Sequence, residues 1–194
     1  MKTFRNLVVT PFDELLDSPI GLSDHRGGPI LPRWEEEVHS RHCRYGTRPV
    51  DEHPVKSVDT PITVSGDYAY LGPICHHFGH QIADFSMRIF PLVMSGFKGP
   101  VLFSIRRGTE LAARDLPEFL KQVLSYFEIS LNRVRIVSED TKFECVLIPF
   151  QQETLFGPPP EKKIMDELRA FSDRRLGVSH RLRFNSDVKD KIYI

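Results

Sequence analysis

Cysteine is scarce in this chain. Cys43, Cys75 and Cys145 are far apart, odd in number and form no CxxC pair, which argues against a disulfide framework and for a reducing compartment. Net charge is missing as well. Lys and Arg total 26 and Asp and Glu total 26, which leaves no electrostatic footprint for nucleic acid or an anionic membrane. Long apolar runs are absent. The start, MKTFRNLVVTPFDELLDSP, is too short in its apolar stretch and too quickly acidic for a signal peptide or a membrane span, so a cytoplasmic protein without a membrane span is expected. There is no internal repeat or low-complexity tract. There is also no GxSxG elbow, Walker loop, GxGxxG turn or HExxH helix.

What is present is an ordinary globular composition. Of 194 residues, 40% are hydrophobic and 27% charged, enough chain and enough apolar surface for a real core. Residues 1–60 are rich in Pro, Gly and charge and read as short strands and irregular structure packed on a domain, with Trp34 as an anchor. From residue 61 the pattern is regular. Residues 68–74, 100–105, 133–137 and 144–150 read as strands, and 79–95 as a helix. A second helix is expected from DLPEFLKQVLSYF, with Asp115 as N-cap, Pro117 in the first turn, Glu118 at the capping-box position and Phe119, Leu120, Val123, Leu124 and Phe127 on one face. GPPP at 157–160 breaks the chain before a helix carrying Ile164, Leu168 and Phe171 on one face, and KIYI at 191–194 looks like a last strand. Alternating strands and helices with apolar strand runs predict an α/β fold over 61–194. The expected form is a three-layer, Rossmann-like domain with a largely parallel sheet.

The stretch GPICHHFGHQIADFSMRIFPLV, residues 72–93, concentrates the chemistry. On a helix starting near Gly79, His80, Asp84 and Arg88 follow at i, i+4 and i+8 on one stripe. Ile82, Phe85, Ile89, Leu92 and Val93 claim another face for the sheet. The histidines sit at the carboxyl end of a strand, the edge where open α/β sheets bind ligands. This stripe is expected to line a cleft, with a His80–Asp84 or Asp84–Arg88 contact. The plain alternative is an i,i+4 ion pair of Asp84 and Arg88, with His80 decorating the first turn. A metal site using His76, His77, His80 and Cys75 lacks the further ligand sets that zinc needs, so no metal is expected.

FGHQIADFSMRIFPL resembles the signature of glycosyltransferase family 61, which includes bacterial capsular polysaccharide biosynthesis proteins. The matching positions are Gly79, His80, Asp84 and Arg88. The order of later elements is similar too, over about residues 55–194. One position departs: Gln81 stands where an aromatic or aliphatic residue is usual. The resemblance implies the N-terminal, acceptor-side half of a GT-B type glycosyltransferase, with the C-terminal nucleotide-sugar domain apparently absent. It implies sugar transfer from a nucleotide sugar to a saccharide acceptor, with no tightly bound cofactor. His80 or Asp84 would be the base, Arg88 would hold the carboxylate or meet an anionic group, and His77 is a lesser candidate. The alternatives are a non-catalytic binding or assembly module that pairs with a partner chain or a second copy, and, third, a histidine-based metal-dependent hydrolase.

Overall fold

The computed structural model describes residues 1–14, 25–33, 38–44, 48–55, 57–152 and 160–177. Trp34 and the strand expected at 191–194 lie outside the described residues. Two compact units are present, Met1–Pro159 and Pro160–Ile194. The first begins with strands β1 (Lys2–Glu14), β2 (His25–Pro29), β3 (Arg41–Arg44), β4 (Arg48–His53) and β5 (Ile62–Pro73). There follow helix α1 (Phe78–Ala83), a 3-10 turn (Phe85–Arg88), α2 (Ile89–Met94), β6 (Val101–Ser104), α3 (Glu118–Tyr126), β7 (Val134–Val137) and β8 (Thr141–Ile148). In the second unit α4 (Lys162–Leu176) ends at Gly177, which takes the left-handed conformation (φ 63°) that stops helices. Ile164, Leu168 and Phe171 are half-buried on it.

Six strands in the order β2-β1-β8-β5-β6-β7 form a curled sheet, and β4 and β3 extend it beyond β2. The four strands expected from the sequence are β5 to β8, and β8-β5-β6-β7 are parallel throughout. The mixed α/β class is therefore as expected. β5 starts six residues earlier than its apolar run suggests, because Ile62–Asp67 pair with β8 while staying largely exposed. A bulge near Gly66 (φ 105°) adds a residue there and sharpens the coil.

The N-terminal segment does more than pack on the sheet. β1 is built into it, antiparallel to both β8 and β2. The signal was the run LVVTPF, of which Leu7, Val9 and Phe12 are buried. Pro11, which lacks an N–H, falls where the β1–β2 register shifts, the kind of place a strand tolerates proline.

β1 lies three places from β6 in the sheet order, yet its far end bonds to the residues that follow β6. The Phe12 N–H donates to the Ile105 carbonyl at 2.7 Å, and the Arg107 N–H donates to the Phe12 carbonyl at 2.7 Å. Only a strongly curled sheet brings these together. Its concave side is filled by Leu7, Val9, Tyr70, Leu102, Val137, Phe143, Val146 and Ile148. Its convex side carries Ala69, Leu71, Val101 and Phe103, covered by Ile89 and Leu92 of α2 and Leu120 and Leu124 of α3. The second helical layer of a three-layer domain is not found among the described residues of this unit. The sheet's own curl buries the face that such helices would cover.

Two helices differ from expectation. Residues 79–95 are not one helix, and Pro91 gives the reason. In a continuous helix its ring would strike the carbonyl of Met87 and it would leave that carbonyl without a donor. The chain instead tightens into the 3-10 turn and restarts at Ile89, which places Pro91 in the first turn of α2, where no donor is needed. Asp115 does not cap α3 but ends a short 3-10 turn, Ala113–Asp115, and Pro117 occupies the cap position. The apolar face of α3 is as expected.

Gly27 (φ 146°) lies against the strand that closes the curl: a Cβ there would sit 2.4 Å from Phe12 Cα and 2.5 Å from the Pro11 carbonyl oxygen. Neither backbone atom can yield cheaply. Gly27→Ala is expected to cost about 3 kcal/mol or more, read as a lower urea midpoint with unchanged slope.

Candidate functional site

The site grows from the carboxyl end of β5. Gly72 (φ 112°) turns the strand in a conformation that a side chain resists, beside Ser40 and the Phe85 carbonyl. The Ile74 N–H then donates to Ser104 O at 2.8 Å, which holds the outgoing chain to the end of β6. Cys75 is fully buried, and its Sγ accepts the N–H of His77 at 3.3 Å. His77 is the N-cap of α1, with Nδ1 accepting the His80 N–H at 3.4 Å. Helix α1 thus begins one residue before Gly79.

Within α1 the i,i+4 pair that forms is His80 with Asp84. His80 Nδ1 lies 2.8 Å from Asp84 Oδ2, with the His80 side chain 16% exposed and that of Asp84 fully buried. An ionised carboxylate accepts and does not donate, so the shared proton belongs on Nδ1. With the proton on Nδ1, Nε2 of the neutral ring carries the lone pair. The His77 ring stands 4.8 Å from that of His80, centroid to centroid. His77 must present an unprotonated Nδ1 to the helix, so its place here is that of a cap.

Arg88, third on the stripe, points elsewhere. It is only 1% exposed and is among the largest fully buried side chains. Its Nη2 donates to the Val38 carbonyl at 2.8 Å and its Nη1 to the Pro149 carbonyl. The guanidinium fork therefore ties the 3-10 turn to the segment before β3 and to the chain leaving β8. His80 and Asp84 are brought together, His77 supports them from the helix start, and Arg88 anchors the floor.

No protein-family model, curated protein or solved structure matches this chain. What the site can do is decided by its own residues. Among the described residues no group of three or more His, Cys, Asp or Glu is placed to hold a metal ion, and no helix is long and apolar enough to cross a membrane. Sequence reasoning missed the carbonyls of Val38 and Pro149, since a main-chain acceptor leaves no mark in residue type. It also missed the buried roles of Cys75 and Gln81. A separate apolar groove of about 400 Å³ runs between α1 and α3, lined by Phe78, Ile82, Phe119, Val123 and Phe127 with Gln122 and Tyr126. On the helix it faces away from the His80–Asp84 side, because Phe78 and Ile82 lie about half a turn from His80 and Asp84.

Removing the Arg88 fork would leave two buried carbonyls without their donor, each worth about 1–3 kcal/mol. Arg88→Met is expected to lower stability by about 2–5 kcal/mol in urea unfolding. Arg88→Lys should recover little of it, since one ammonium does not reproduce the planar two-pronged geometry.

Proposed function

We propose that this chain is a glycosyltransferase-like protein that moves a sugar from a nucleotide sugar to a saccharide acceptor in polysaccharide building. In this reading β8-β5-β6-β7 with its crossover helices is the Rossmann-like, acceptor-side half of a GT-B type enzyme. The observation that carries it is the 2.8 Å contact between a partly exposed His80 and a fully buried Asp84. It sits at the carboxyl end of a parallel strand, where ligands of open α/β sheets bind.

The chemistry follows from that pair. The acceptor hydroxyl oxygen attacks the anomeric carbon, and the bond from that carbon to the phosphate oxygen breaks. The nucleoside diphosphate leaves with the bonding electrons, and the hydroxyl proton passes to His80 Nε2. Asp84 orients the ring and offsets the charge that His80 gains. Asp84 is the orienting group and not the base, because its buried carboxylate reaches the surface only through His80. Arg88 acts as a support and does not take the charge of the leaving group.

A second reading, a non-catalytic binding or assembly module, is favoured by the apolar groove and by Phe78 at its mouth, 62% exposed. The two separate in one assay of nucleoside diphosphate release from a panel of nucleotide sugars with saccharide acceptors. For the transferase, His80→Ala is expected to lower turnover by about 10²–10⁴-fold and Asp84→Asn by a similar or smaller factor. Unchanged turnover in both variants would remove the catalytic reading. A folded wild-type chain with no transfer across the panel that elutes as a stable dimer or retains a partner would support the module.

A further inference from the structure

Gln81 is the residue of the site that neither packing nor the His80–Asp84 pair explains. It is fully buried on α1, next in sequence to His80. Its Oε1 accepts the Cys75 N–H at 2.7 Å, while its Nε2 has no hydrogen-bond partner among the described residues. A half-satisfied buried amide is a poor core residue, because the unmet donor carries a desolvation cost that a methionine of similar size would avoid. What the amide does achieve is local. The Cys75 N–H donates to Gln81 Oε1, the Gln81 N–H donates to the His77 carbonyl at 3.0 Å, and the His77 N–H donates to Cys75 Sγ at 3.3 Å. These bonds form a closed ring that joins the end of β5 to the first turn of α1.

We propose that Gln81 is a positioning residue for His80. By pinning the Cys75 turn to α1 it keeps His77 in the cap, and with it the His80 ring against Asp84. The inference rests on the reading of His80 and Asp84 as a working pair. Without Gln81 the strand end and the helix are joined in this ring only by the weak acceptor that the Cys75 thiol sulfur offers, and the six-residue α1 is too short to hold its first turn alone.

The test uses the whole chain with ¹⁵N-labelled histidine and reads the neutral tautomer of His80. In the wild type the Nδ1–H form is expected to dominate. In Gln81→Met, which fills the same space and loses the acceptor, the ratio of Nδ1–H to Nε2–H forms should fall by roughly threefold or more as the ring leaves Asp84. A purely structural role would lower the melting temperature and leave that ratio unchanged in the folded variant, and this result overturns the proposal. If Gln81→Met does not fold, the wild-type Cys75 amide decides. Strong protection from hydrogen exchange supports the anchor, and exchange at the rate of an open loop overturns it. Asp84→Leu, which removes the acceptor, is the control for the underlying pair: if it leaves the His80 tautomer as in the wild type, the His80–Asp84 reading fails whatever Gln81 does.

Discussion

A buried cation has to be satisfied, and much of the site's surroundings follows from how Arg88 is satisfied. Its guanidinium has lost its water and recovers hydrogen bonds from the carbonyls of Val38 and Pro149. Those carbonyls belong to segments remote in sequence, one before β3 and one just after β8. The 3-10 turn that carries Arg88 therefore cannot move without unsettling both. Asp84 immediately precedes that turn, so the carboxylate behind His80 is held by a side chain that never reaches the surface.

The sheet supplies the second constraint. Because it curls until Phe12 meets Ile105, its concave face closes on itself and needs no helices. Two ion pairs of one arginine reinforce the seam: Arg107 Nε lies 2.6 Å from Asp13 Oδ1 and its Nη2 lies 2.9 Å from Asp140 Oδ1, and Asp140 Oδ2 accepts the Asp59 N–H at 2.8 Å. One arginine thus joins the end of β1, the turn into β8 and the approach to β5. With one face closed this way, α1, α2 and α3 gather toward the other, and the turn after β5 comes out at the sheet's carboxyl end.

The parallel strands were legible because each is a short apolar run between breaks. α3 was legible because its apolar residues recur at helical spacing. The His80–Asp84 contact was legible too, since a four-residue step on any helical turn stacks the two side chains. The role of Arg88 was not, because its partners are main-chain atoms brought in by tertiary structure. The split of the site helix could have been read: Pro91 forbids a continuous helix through Met87. The curl could not, because it depends on a pairing between the end of β1 and residues more than ninety positions later. Strand patterning records which face is buried and not what buries it.

The difference in exposure between His80 and Asp84 argues against the plain reading of the pair. An i,i+4 pair on a solvated helix face leaves both groups in water and contributes a few tenths of a kcal/mol. Here the carboxylate has been desolvated completely while the imidazole has not. A buried carboxylate that serves stability alone is better replaced by an apolar group. A buried carboxylate behind an accessible ring does something an apolar group does not: it fixes which nitrogen carries the proton and leaves the lone pair on the other. The ring thus conveys the buried charge to the surface. His77 at the cap and Cys75 beneath it hold the ring at the start of the helix, at the end of the strand.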